Sequence, residues 1–330
     1  MSKLPPVLFV FVGLGLFGVW HLVMNRSSTG SNEVLVSGER SLSNMGLSPA
    51  KNEAIKAFVN KDWTRAAEKF GQSLQSNSND PESAIYRQNA LIAQQESIGI
   101  VTVVPMSTNP NVANEILRGV AMGQIEINQN GGIGGKKLKV YIADDANEAE
   151  QAASIAQLVI TKSDILAVVG SNASSPSLAA AKVYQQAGVV MVSPTSATPE
   201  LSGFGNYIFR TVPPAEVTAR KLAEYSFKIA KKTKTAICMD ETSPDNAAFG
   251  NSYRSELLAL GGSVISTKCK LGRSDFSASD EMEAIIKSGA DSIMIAPHIE
   301  RLPQATDLIR ANRQRLALFG SQSMNTTVTL

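Results

Sequence analysis

The sequence predicts an α/β protein of two parallel-sheet lobes, preceded by a transmembrane helix and a short helical hairpin. Three observations carry that expectation. From Ser97 onward, apolar β-branched runs alternate with amphipathic segments, the pattern of strands covered on both faces by crossover helices. The alternation breaks at Pro213-Pro214 and then resumes, which divides it into two sheets. Near the amino terminus, Val7 to Met24 is an apolar run whose sole titratable group is His21.

The elements follow in order. A helix over 7–24 is about 27 Å long, close to the hydrocarbon thickness of a bilayer. Asn25-Arg-Ser-Ser-Thr-Gly follows it, without the small-x-small site of a cleaved signal, so an uncleaved anchor over 1–25 is favoured over a cleaved one. Later residues are then expected on one side of a membrane, outside the cytoplasm. Gly13, Gly15 and Gly18 match the dinucleotide fingerprint in form, but they lie inside the apolar run and lack the flanking strand and amphipathic helix. Residues 26–50 are rich in Ser, Asn and Gly and read as a linker.

Residues 51–96 read as two helices, with Asp80 as cap and Pro81 at the first position of the second. The series Asp62-Trp63, Ala66, Phe70, Leu74 resembles part of a tetratricopeptide repeat. With one copy visible, a spacer packed on its own domain is favoured over a partner-binding module. The first lobe is assigned to 97–214, with strands over 98–104, 138–143, 165–170 and 189–193. The second is assigned to 215–330, with strands over 235–240, 263–268, 291–296 and 316–320, and with helices over 251–260 and 302–312 among those between them.

A length of 330 residues suits about two domains. The 31 basic and 29 acidic residues leave a net charge of +2, which gives no electrostatic case for nucleic acid. Two cysteines and two histidines exclude a disulfide scaffold and most metal or histidine chemistry. No cofactor or metal is expected. Cys238 falls inside one strand and Cys269 just past another; a disulfide is open to them outside the cytoplasm, but offsets along neighbouring parallel strands are expected to keep them apart.

Ligands of open α/β sheets bind beyond the carboxyl ends of the strands. Strand 165–170 ends in Gly170-Ser-Asn-Ala-Ser-Ser-Pro176, and the next ends in Pro194-Thr-Ser-Ala-Thr-Pro199. Backbone N–H groups and the hydroxyls of Ser174 and Ser175 there suit a carboxylate, with Ser175 as helix cap and Pro176 at the first helical position. Asp144-Asp145 reads as a solvated turn, and Gly131 to Lys137 lacks P-loop spacing. No serine has a base at hand and no nucleophile elbow is present, so no catalysis is expected.

Asn128, Gly131-Gly132, Asp144-Asp145, Gly170, Ser174-Ser175, Ser193-Pro194, Pro199-Glu-Leu201 and Phe209-Arg-Thr211 recur in a fixed order. From Ile98 to Gly320 this resembles the periplasmic branched-chain amino-acid-binding proteins, the type 1 solute-binding proteins of ABC importers. With its anchor and hairpin, the chain looks like a cyanobacterial, membrane-anchored variant. The resemblance implies a Venus-flytrap of two lobes closing on a small ligand without chemistry, and a permease as partner. It implies carboxylate binding by Ser174, further contacts from Thr195 and Ala197, and an aromatic from the second lobe at Phe249 with a second aromatic position at His298. Gln322 stands where the family has the acid that pairs with the ammonium, so an amide, a small carboxylate, a peptide fragment or a urea-like solute stays open beside an amino acid. The family also returns to its first lobe after the second, so both lobes are expected to be incomplete here. A receptor ectodomain and a non-binding scaffold are the competing functions.

Overall fold

The computed structural model describes residues 34–43, 47–266 and 269–325. The apolar run 7–24 lies outside the described residues, as does part of the expected linker. Among the described residues, no helix is long and apolar enough to cross a membrane. The chain divides into two compact units. One runs through Pro194 and takes in Tyr207–Phe209, and the other comprises Thr195–Asn206 and the chain from Arg210 onward.

The first unit begins with three helices, α1 (Pro49–Val59), α2 (Trp63–Ser76) and α3 (Pro81–Ile92). Ser48, Asp62 and Asp80 cap them, each side chain accepting a backbone N–H three residues on. Then β1 (Ser97–Val104), α4 (Pro110–Gln129), β2 (Lys137–Asp144), α5 (Ala149–Val159), β3 (Ile165–Val169), α6 (Ser174–Ala187), β4 (Val190–Ser193) and β5 (Ile208–Arg210) follow. The strand order is β2-β1-β3-β4-β5, with β1 to β4 parallel. The chain therefore winds from β1 to one side and then to the other, and the switch falls between β1 and β3.

The expected linker, hairpin and lobe pack against one another. Phe58, Phe70, Ile85, Tyr86 and Ala90 of the hairpin share one core cluster with Leu117, Leu138, Val140 and Ile142 of the sheet layer. Val36 is fully buried and forms an antiparallel bridge with Ile142. The cause lies in β2, an edge strand with a row of backbone groups to satisfy. Val36 pairs with Ile142 through N–H···O bonds of 2.8 and 2.7 Å. The Asn89 amide bonds both Val140 O (2.7 Å) and Val140 N (3.1 Å), and Asn128 does the same for Leu138 at 3.1 and 2.7 Å. Gly38 allows the strap to pass, because at its φ of +148° a Cβ would lie 2.6 Å from the Phe58 ring.

A buried ion-pair network ties the strap down further. Glu82, 1% exposed, accepts hydrogen bonds from Lys51 Nζ (2.7 Å), Tyr86 OH (3.0 Å), Leu42 N (2.6 Å) and Ser41 Oγ. Lys51 also reaches Asp80 at 2.8 Å. Burial works against the Lys51 ammonium, but the Glu82 and Asp80 carboxylates outweigh it and raise its pKa. Burial likewise opposes the Asp80 carboxylate, and Lys51 beside it holds that pKa below the usual range.

The second unit contains α7 (Ala215–Glu224), β6 (Lys234–Met239), α8 (Pro244–Ala259), β7 (Ser263–Ile265), α9 (Ala278–Lys287), β8 (Ser292–Ala296), α10 (Leu302–Asn312) and β9 (Ala317–Gly320). Its parallel sheet has the order β7-β6-β8-β9, with the switch between β6 and β8. Both faces are covered. Ile237, Met239 and Met294 pack in one cluster, and Ala236, Cys238, Ile293 and Ile295 pack in another.

The cysteines are paired, contrary to the expectation from strand offsets. Cys238 and Cys269 form a disulfide with Cα atoms 4.9 Å apart. An unbroken strand through 268 would carry Cys269 past its partner, but β7 ends at Ile265. The register runs Ala236↔Ile265 and then Met239↔Lys270, three residues on one side against five on the other. That slip brings Cys269 opposite Cys238.

Candidate ligand site

In the first unit the switch between β1 and β3 places two turns at the carboxyl end of the sheet, residues 105–109 and 170–175. Gly170 approaches β1 closely: at its φ of +134° a Cβ would collide with the Val103 carbonyl oxygen. Ser171 then turns inward, and its carbonyl oxygen accepts the hydroxyls of Ser177 (3.1 Å) and Ser193 (2.9 Å). These bonds hold the turn against α6 and β4.

The helix starts two residues earlier than the sequence reading placed it. Ala173, not Ser175, is the N-cap of α6, so Ser174, Ser175 and Pro176 occupy its first turn. Proline tolerates the first turn because N–H groups there have no intrahelical acceptor. Ser174 is half-buried and Ser175 exposed. Hydroxyls and amides at a helix N-terminus suit an anion, since the helix dipole and N–H groups point the same way.

Asp144-Asp145 is not the solvated turn expected. Asp144 accepts the N–H groups of Ser107 (3.0 Å) and Ala146 (2.9 Å), which joins the end of β1 to the end of β2. Asp145 is fully buried. Burial pushes its carboxyl above the usual range, with Asp144 adding to the rise while Ser171 and the Asn147 N–H oppose it. Asn172 Nδ2 donates to Asn147 Oδ1 at 3.2 Å, a second link between the two turns.

The remaining expected residues all belong to the second unit. Thr195 is exposed and Ala197 half-buried, with the Ala197 carbonyl accepting the Ala215 N–H at 2.9 Å. His298 follows β8, and its Nδ1 accepts the Glu300 N–H at 3.5 Å. Gln322 follows β9 and is exposed. These two thus stand at the ends of neighbouring strands. Phe249 does not join them: it is 5% exposed, packed with Ala219, Met239 and Tyr253, which leaves it little surface for a ligand.

The sequence reading missed Asp240 and Arg301. Asp240 ends β6 at the second switch point, is buried, and accepts the Thr242 N–H (3.0 Å) and hydroxyl (2.6 Å). Arg301 Nε lies 3.9 Å from its other oxygen. An acid closing a predicted strand was the available signal, but the strand order that makes β6 central is not written locally.

Residues 97–312 match the profile of the periplasmic binding protein family. An amino acid binding protein of Pseudomonas aeruginosa is 29% identical over 210 residues, 63% of this chain and 54% of that protein. The Leu/Ile/Val-binding protein BraC3 of Rhizobium johnstonii is 32% identical over 189 residues, 55% of this chain and 50% of its own length. The chain thus spans about half the length of these curated relatives. Among solved structures, an ABC transporter substrate-binding protein from Desulfitobacterium hafniense in complex with Leu aligns with a TM-score of 0.61 at 25% identity, covering 71% of this chain and 68% of that one. The profile match takes in the first sheet and strands β6 to β8 of the second, and the chain belongs to the periplasmic binding protein family.

Proposed function

We propose that this chain is the extracytoplasmic solute-binding component of an ABC importer, taking an amino acid or a related small polar solute. The family consists of solute-binding proteins and not enzymes. The observation that carries the reading is the 170–175 turn: a hydroxyl-bearing helix N-terminus at a topological switch point, where a carboxylate is stabilised. Ser174 and Ser175 of the first unit, and Thr195, Ala197, His298 and Gln322 of the second, are the proposed ligand contacts. The apolar run 7–24 supports a membrane anchor, and a permease is the proposed partner. After alkaline carbonate extraction the intact chain should stay with the membrane fraction, and its release into the soluble fraction would count against the anchor.

Ligand-dependent melting of the chain tests the reading. Leucine, isoleucine and valine come first, followed by small amides and carboxylates. A ligand at 100 times its Kd adds about 2.7 kcal/mol to the stability of the native state. Ser174→Ala should weaken binding by about 1.5–3 kcal/mol, the value of a hydrogen bond to a charged group, with little change in melting temperature. A panel without any stabilising solute contradicts the function, and an unaltered Kd in Ser174→Ala removes that serine from the site.

A further inference from the structure

Asp145 follows β2 and Ser171 stands two residues past β3, so the two flank the carboxyl end of β1. The Asp145 N–H donates to Val104 O at 3.2 Å. Asp145, Ser171 and Tyr184 of α6 are 0%, 2% and 1% exposed. Asp145 Oδ1 accepts the Asn147 N–H at 3.0 Å. Its Oδ2, the Ser171 Oγ and the Tyr184 hydroxyl are all buried, and none has a well-formed hydrogen bond within the protein. The carboxyl interacts with the Ser171 hydroxyl, and its charge acts on Tyr184. The groups acting on it are Ser171 after β3, and the Asn147 N–H, its own N–H and Asp144 after β2, and none of them is a cation.

A buried carboxylate without a cation is costly, and such a group keeps its proton instead. A neutral carboxyl has an O–H to donate, and the buried Ser171 hydroxyl with which it interacts has no well-formed hydrogen bond of its own. Ser171 is also the residue whose carbonyl is clamped by Ser177 and Ser193, so whatever fixes its side chain fixes the turn. We propose that Asp145 is the positioning residue of the ligand turn, holding residues 170–175 through Ser171 in the shape that presents Ser174 and the N-terminus of α6. This rests on the solute-binding reading.

The test uses the full chain in detergent, with amide hydrogen exchange of residues 170–175 followed from about pH 5 to about pH 8 after correction for intrinsic rates. Because burial raises the carboxyl's pKa, its neutral form is lost as pH rises through that value. Protection of the wild-type turn should therefore fall across that rise. Asp145→Asn, an uncharged isostere, should keep the turn protected without that pH trend. Asp145→Ala should lose about tenfold in protection there while α9 amides are unchanged. With L-leucine as probe, Asp145→Ala should bind about tenfold more weakly and Asp145→Asn within about threefold of wild type. Identical pH trends in wild type and Asp145→Asn, or full turn protection in Asp145→Ala, would overturn the proposal. If Asp145→Ala fails to fold, the Asp145→Asn comparison decides alone. Turn protection that follows Asp145 in a chain that binds no leucine supports the positioning role and counts against an amino-acid ligand.

Discussion

Glu82→Ala should destabilise the first unit by about 3–5 kcal/mol, the cost of removing one partner from a buried ion pair. The magnitude follows from what is stranded. Lys51, 4% exposed, would keep Asp80 but lose its closer carboxylate at 2.7 Å. The buried Tyr86 hydroxyl and the Leu42 N–H would lose their acceptor. A loss of this size is a large share of the stability of an ordinary domain. Residues 34–43 should exchange their amides faster, since Glu82 holds two groups of that strap. Glu53→Ala is the control, because Glu53 pairs with Lys69 and Arg65 on the surface, where ion pairs contribute little. The network also has a pH signature. The Asp80 pKa is depressed in the folded state, so its contribution is present above the ordinary carboxylate range and is lost as pH falls through the folded value. Urea denaturation at neutral pH and in acid checks both points. Equal stabilities for Glu82→Ala and Glu53→Ala would show that the network is not integral to the fold.

The elements were legible where the cause was local. Expected helix 302–312 matches α10 residue for residue, because its apolar spacing and Pro303 near its start both lie within it. Helix α8 begins at Pro244, seven residues before the expected Asn251, since its first turns are small and polar and only Ser243-Pro244 marks the start. What depended on distant partners was not legible. Val34-Leu-Val36 is too short an apolar run to signal a strand, and it is the edge of β2, about a hundred residues on, that gives it a place. The candidate site divides in the same way. The hydroxyls of Ser174 and Ser175 were readable from one loop, whereas the full burial of Asp145 depends on packing by elements that the sequence cannot dock. Phe249 shows the converse. The family resemblance placed it at the ligand, and helix α8 packs it into the core.

Cys238→Ala/Cys269→Ala should lower the stability of the second unit by about 3.5 kcal/mol, the chain-entropy value for a closed loop of this length. The bridge spans 31 residues, from β6 through α8 and β7 to the segment that returns to Met239. It fastens that return where regular pairing has stopped, beyond the three residues of β7. Without it, the Met239↔Lys270 bridge and the Leu271 N–H to Met239 O bond at 3.1 Å are the backbone ties left there. Leu271 is fully buried in the cluster that contains both cysteines, so loosening the segment also exposes apolar surface. Both cysteines are buried, at 0% and 3% exposure, so a reductant should act slowly on the native chain and quickly once urea opens the second unit. Such a bridge belongs to an oxidising compartment, in line with the proposed extracytoplasmic site of action. The measurement is a pair of urea titrations, wild type and double variant, each with and without reductant. Reductant should move the wild-type midpoint to that of the variant and leave the variant unchanged. Coincident wild-type curves under the two conditions, with quantitative thiol labelling showing full reduction, would mean that the bridge does not stabilise the unit.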